Sequence, residues 1–123
     1  MGSKSFTDLT VWQATYKATL ALYTATENFP AKETYGLANQ IRRAVISIGT
    51  NISEGFGRRM PRDKAHFYTM AFGSAEEIKH CLLVARGLQY LENIEALWRD
   101  LESISKMLRS LTDCVLRGQA PGA

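Results

Sequence analysis

The sequence has little that crosslinks or interrupts a chain, with three prolines and two cysteines in 123 residues. Cys81 and Cys114 stand 33 positions apart without a C-x-x-C pair. That spacing argues against a disulfide framework or zinc site and fits reduced core thiols. No apolar run approaches the ~18 residues of a membrane span. There is no apolar signal core at the N-terminus, and position 6, where an N-myristoylation motif needs Ser or Thr, is Phe6. These features together read as a cytoplasmic protein. No alternating β-branched run lies between turn residues, so strand signals are absent. Also missing are a glycine-rich phosphate loop, a nucleophile paired with a base, and metal-finger spacing.

What is present fits one helical domain. Apolar residues make up 46% and charged residues 22%, with a net charge of +3. This is globular composition, and the length suits a single hydrophobic core. The excess of positive charge permits a polyanionic partner without demanding one. Residues 1–5 are expected to form a disordered N-terminus or an expression scar, 6–118 the domain, and 119–123 a flexible tail.

Four long stretches carry a three-to-four apolar rhythm. The first runs from Thr7 or Asp8 to Asn28, with Thr7 as its cap. Leu9, Trp12, Tyr16, Leu20 and Tyr23 are expected on its core face. Pro30 ends it, since the residue before a proline is pushed out of the α region. The second starts near Glu33 and carries Leu37, Ile41, Val45, Ile48, Ile52 and Phe56, with Gly55 and Gly57 read as a positive-φ exit. Gly49 falls mid-helix, where glycine costs about 1 kcal/mol relative to alanine, and so predicts a close crossing or a bend. Pro61 opens the third stretch at a position where its missing N–H is harmless. Asn93 is expected to cap the fourth, whose heptad is Ile94, Leu97, Leu101, Ile104, Leu108, Leu111 and Val115. Short loops place successive helices antiparallel, which predicts an all-α, antiparallel up-down four-helix bundle.

Several motifs occur together in order. Phe6 precedes Asp8 to Gln13, DLTVWQ. Phe29-Pro30, Glu33, Tyr35-Gly36-Leu37 and Gln40-Ile41-Arg42-Arg43-Ala44 follow. Next come Ser47-Ile48, Asn51-Ile52, Glu54-Gly55 and Gly57-Arg58, then Gly73-Ser74 with Glu77. In this the chain resembles, from about Phe6 to Leu116, the bacterial four-helix-bundle proteins of the 23S rRNA intervening-sequence type. A related branch accompanies the reverse transcriptases of diversity-generating retroelements. Gly49-Thr50 departs from the family's usual Pro-Ala, and Met60 stands where a polar cap is expected. The resemblance implies a homo-oligomer, with a pentamer favoured, and no established catalytic activity or cofactor. It also implies RNA or DNA, or a protein such as a reverse transcriptase, as a partner.

Two groups of residues are candidates for function. Gln40, Arg43, Ser47, Asn51, Glu54 and Arg58 recur at steps of three and four, which holds them on one helical face. With Ser74 and Glu77 they read as a hydrogen-bonded network setting helix pairing and oligomer register, or as a polar, RNA-facing groove. Gln40, Ser47, Asn51, Glu54, Ser74 and Glu77 are assigned to the structural network. Arg42, Arg43, Arg58, Arg59, Arg62 and Lys64 are six of the fifteen basic residues, opposed locally by Glu54 and Asp63 alone. They are the candidate nucleic-acid contacts, lying in two groups about 25 Å apart along a helix. Tyr68 and Phe56 are nearby aromatics for base stacking or for the core.

Ordinary solvated charge, with Arg43 paired to Glu54 or Glu77, is the alternative. Glu77-Ile78-Lys79-His80 is the Glu-x-x-His unit that di-iron bundles use twice, but it occurs once here, so no metal is expected. Arg59 and His66 have the spacing of a helical-bundle ribonuclease motif, Arg holding phosphate and His acting as acid or base. The function read from these features is a non-enzymatic, oligomeric, nucleic-acid-associated accessory protein. A protein–protein scaffold and an Arg59/His66 ribonuclease are the alternatives.

Overall fold

A computed structural model describes residues 2–118 and contains four long helices, with no strand among the described residues. The expected tail from Gln119 to Ala123 lies outside the described residues. The helices are α1 (Thr10–Thr26), α2 (Leu37–Gly57), α3 (Pro61–Gly87) and α4 (Glu95–Leu116). Each packs on the next, and α4 closes the bundle against α1.

Contacts between neighbours run in opposite senses along the chain. Thr26 meets Arg42 and Thr15 faces Gly49 across α1 and α2. Gln40 meets Glu77, Ser47 meets Ser74 and Gly55 faces Tyr68 across α2 and α3. Lys79 meets Glu102 and Phe72 meets Arg109 across α3 and α4. Each pairing rises in one helix as it falls in the other, so the chain reverses at every turn.

The core of α2 and α4 follows the expected apolar positions: Ile41, Val45, Ile48 and Ile52 from one, Leu101, Ile104, Leu108 and Leu111 from the other. The first helix is rotated from the expected face. Its buried residues are Val11, Thr15, Ala18, Leu22 and Thr26. Tyr16, Leu20 and Tyr23 point outward at 53%, 54% and 38% exposure. The reason is that a threonine hydroxyl can be satisfied by turning back on its own helix, which makes its burial inexpensive. Thr15 Oγ1 donates to the Val11 carbonyl at 2.8 Å and Thr26 Oγ1 to the Leu22 carbonyl at 2.9 Å. Thr15 then offers only a methyl and a short stem to the core, and the Thr26 hydroxyl keeps a lone pair for the Arg42 Nε–H.

The helix ends also differ in detail. A 3₁₀ turn, Phe6–Asp8, precedes α1 and is capped by Ser5 in place of Thr7. The start of α2 moves from Glu33 to Leu37, because Glu33 lies in a 3₁₀ turn and its Oε1 accepts from the Leu37 N–H at 2.9 Å. Its other oxygen accepts from the Tyr90 hydroxyl at 2.8 Å, tying the α1–α2 connection to the loop before α4. Pro61 does occupy the first turn of α3. Asn93 accepts from the Glu95 N–H at 2.8 Å, one residue ahead of the Ile94 cap position.

The glycines change roles. Gly55 and Gly57 are helical, and positive φ is confined among the described residues to Gln89 (66°) and Gly118 (75°). Gly49 lies within an unbroken α2, and a Cβ there would meet only the Thr15 methyl at 3.9 Å. The close approach is at Gly55, where a Cβ would come within 2.7 Å of the Tyr68 ring.

Candidate nucleic-acid interface

The six candidate basic residues separate into two kinds once their partners are seen. Arg42 closes the end of α1. Its Nε donates to Thr26 Oγ1 at 2.8 Å, its Nη2 donates to the Tyr23 carbonyl at 3.2 Å, and its guanidinium lies 4.8 Å above the Tyr23 ring. Lys64 does the same for α2, donating to the Gly55 and Phe56 carbonyls at 3.3 and 2.8 Å. The last carbonyls of a helix lack intrahelical donors, and a cation there also meets the negative end of the helix dipole. Burial pushes the Lys64 ammonium below its ordinary value, in keeping with its half-buried place. Two of the six cations therefore serve the fold.

The other four face solvent. Arg58 lies 3.5 Å from Glu54 in an exposed i,i+4 pair and 4.7 Å over the Phe67 ring. Exposed pairs of this kind contribute about 0–1 kcal/mol, so they leave the guanidinium available. Arg59 and Arg62 are exposed and have no ion pair among the described residues. Arg58, Arg59 and Arg62 thus form one basic turn between α2 and α3. Arg43 stands apart on α2, with neither the expected Glu54 nor Glu77 as an ion-pair partner. Glu54 pairs with Arg58 instead, and Glu77 Oε2 accepts from Gln40 Nε2 at 3.3 Å.

The network residues lie along the α2–α3 seam at its solvent edge. Ser47 and Ser74 hydroxyls are 3.0 Å apart, and Asn51 Nδ2 donates to the Ser47 carbonyl at 3.0 Å and to its hydroxyl at 3.1 Å. Ser47, Asn51 and Ser74 are half-buried, while Gln40, Glu54 and Glu77 are exposed. These groups join α2 to α3 at two points and leave a polar hollow above them. The hollow, about 510 Å³, is lined by Tyr35, Asn39, Gln40, Arg43, Ser47 and Glu77 among others. Tyr35, in the turn before α2, and Asn39, one helical turn before Arg43, line the hollow without belonging to either candidate group.

Tyr68 is not a stacking residue. It is buried to 1% exposure beneath Gly55, and burial pushes its hydroxyl up to about 12. Phe56 is half-buried with the Lys64 ammonium 5.5 Å from its ring centre. Phe67, half-buried under Arg58, is the aromatic that the turn presents. His66 is exposed, edge-on to Phe67 at 5.6 Å, and shares no hydrogen bond with Arg59 among the described residues. No group of three or more His, Cys, Asp or Glu converges among the described residues, so Glu77 and His80 find no companion ligands. Cys81 is buried, with burial and then Glu77 pushing its thiol above the ordinary value. Among the described residues no helix is long and apolar enough to cross a membrane.

The sequence matches the family of 23S rRNA-intervening sequence proteins over residues 7–110, which takes in all of α1, α2 and α3 and most of α4. The chain belongs to that family. A crystal structure at 1.70 Å resolution of a protein of unknown function from the S23 ribosomal protein family of Bacteroides thetaiotaomicron has a similar fold. The TM-score is 0.76 at 22% identity, covering 84% of this chain and 95% of that one. No curated protein matches the chain. At this identity the neighbour speaks for the fold alone, and it leaves the function of this intervening-sequence protein to be argued from its own residues.

Proposed function

We propose that this member of the intervening-sequence family is a non-enzymatic, homo-oligomeric cytoplasmic protein that associates with single-stranded RNA through its α2–α3 turn. The observation that carries the reading is the turn itself. Arg58, Arg59 and Arg62 are exposed within five consecutive positions, and among the described residues only Arg58 of the three has an ion pair, a solvent-screened one. Guanidinium forks match phosphate oxygens, and Phe67 beneath Arg58 offers a ring edge beside them. Rings of copies would repeat this turn around a rim, so a modest charge per protomer adds up along a polyanion.

The test is the double substitution Arg58→Glu with Arg59→Glu. RNA retention on a filter should be lost while helicity by circular dichroism stays unchanged. Retention equal to the parent protein would sink the reading.

A protein-docking scaffold is the second reading, and the outward face of α1 favours it. Tyr16, Leu20 and Tyr23 lie exposed at helical spacing, with Trp12 stacked on Tyr16 at 5.5 Å and exposed Ile46 near Tyr23 on α2. A contiguous apolar stripe of this kind marks an interaction surface. In the first reading the same stripe joins copies of the chain; in the second it takes another protein.

A further inference from the structure

We propose that Tyr35, Asn39 and Arg43 form a binding site for one nucleotide unit of a single-stranded nucleic acid, separate from the basic turn. Arg43 would hold the phosphate, Asn39 would meet the edge of the base, and Tyr35 would stack on its face. The inference rests on the reading of this chain as nucleic-acid-associated, but it concerns different residues and a different kind of contact.

The argument starts from hydrogen-bonding capacity that the fold leaves unused. Arg42 and Arg43 are neighbours in sequence, yet the first has its guanidinium engaged by the end of α1 and the second has no hydrogen bond or ion pair among the described residues. Asn39 stands one turn before Arg43, also without a hydrogen-bond partner among the described residues, and lines the same hollow. Side chains at i and i+4 lie about 5–6 Å apart at their Cβ atoms, so a carboxamide and a guanidinium project side by side. Tyr35, in the turn just before α2 begins at Leu37, lines the rim of the same hollow and is 92% exposed. An aromatic so exposed contributes almost nothing to the core and has both ring faces open.

The surroundings choose the ligand. The hollow of about 510 Å³ adjoins another of about 670 Å³ that shares Asn39, Arg43 and Ser47. Both are open to solvent, so a ligand there would be held from one side by the groups that line them. Apart from Arg42, which α1 engages, Arg43 is the one cation there. The only carboxylate is Glu77, already accepting from Gln40. The remaining polar groups are neutral amides and hydroxyls. A site built for phosphate alone would gather several cations. One cation beside neutral donors and acceptors and a bare aromatic ring fits a ligand with a single anionic group and a flat, hydrogen-bonding body. That is a nucleotide: carboxamides pair with base edges through a donor and an acceptor together, and bases stack on tyrosine. The turn would then supply charge and the hollow would supply preference among bases.

The experiment is a titration of the full chain with AMP, GMP, CMP and UMP and, separately, inorganic phosphate, followed by amide chemical shifts. At least one nucleotide should saturate, with shifts centred on Asn39 and Arg43, and more tightly than phosphate. Arg43→Ala should weaken it about tenfold, the loss of a charge-assisted hydrogen bond. Arg43 is exposed on α2, so helicity should hold. Arg58→Glu with Arg59→Glu should leave nucleotide affinity within about twofold of the parent, since those side chains line neither hollow. No saturation by about 10 mM, an affinity equal to that of phosphate, or shifts centred on the turn would overturn the proposal. Loss of nucleotide binding alone would leave the turn's RNA contact intact. Loss of RNA retention alone would leave the nucleotide site intact.

Discussion

Two glycines on α2 should respond in opposite directions to the same added methyl group. At Gly55 a Cβ would stand 2.7 Å from Tyr68 Cε1, 3.0 Å from Tyr68 Cδ1 and 3.1 Å from Phe67 Cβ. Tyr68 is fully buried and cannot swing aside as a surface side chain could. Forcing an extra methyl into such packing costs typically 1–3 kcal/mol. Alanine's helical advantage over glycine returns about 1 kcal/mol, so Gly55→Ala should lose about 0–2 kcal/mol net. At Gly49 the added Cβ meets only the Thr15 methyl at an ordinary 3.9 Å, so Gly49→Ala should gain close to 1 kcal/mol. Urea unfolding at one fixed protein concentration measures both, because self-association would otherwise shift the midpoint. Stabilisation by both substitutions, or destabilisation by Gly49→Ala, would refute the assignment of the tight crossing to Gly55.

Gln89 ends α3 in the left-handed region at φ 66°, with the Tyr90 N–H donating to the Ala85 carbonyl and the Gln89 N–H to the Arg86 carbonyl. Gln89→Gly should therefore raise stability by about 0.5–1 kcal/mol in the same urea assay, since glycine enters that region without steric penalty. Glu33 has its carboxyl held below the ordinary 4.5 by the Leu37 N–H and then the Tyr90 hydroxyl. Its stabilising effect is complete above 4.5 and is lost as pH falls through the lower folded value. Thermal midpoints measured downward from pH 6 should thus fall less steeply for Glu33→Gln than for the parent protein, with Glu102, depressed by Lys79, declining equally in both. Tyr16→Glu with Leu20→Glu should lower the mass seen by light scattering if the α1 stripe joins copies; an unchanged mass would assign the stripe to another partner.

Much of the bundle is legible in the sequence. The heptad of α4 and the stripe of Ile41, Val45, Ile48 and Ile52 on α2 are aliphatic rows whose period has one interpretation, and all of these positions but the half-buried Leu97 are buried as expected. The first helix departs from its expected face because it carries two candidate stripes. The one with larger side chains faces outward, and the one with buried threonines faces in. Residue size and polarity cannot decide between them, since the hydroxyl's return to its own helix appears only in three dimensions. The basic segment shows the same limit. Arg42 and Arg43 are adjacent and identical in type, yet one is fastened to α1 and the other is not, because a step of one residue turns a helical side chain by about 100°. Lys64 likewise looks like surface charge until the carbonyls at the end of α2 are seen beneath it. Of the candidate contacts, Arg58, Arg59 and Arg62 keep their exposure and Tyr68 loses it, since burial depends on which helix crosses where.

The central claim is that phosphate is held at the α2–α3 turn, and the dependence of RNA affinity on salt tests it most directly. The three arginines of the turn should contribute about −2 per protomer to the slope of log K against log salt on a single strand, and a phosphate on Arg43 about −0.7 more. Replacing Arg58 and Arg59 with alanine should make the slope shallower by about 1.4, with the fold intact by circular dichroism. An affinity that ignores salt, or a slope that the double substitution leaves unchanged, would contradict the account.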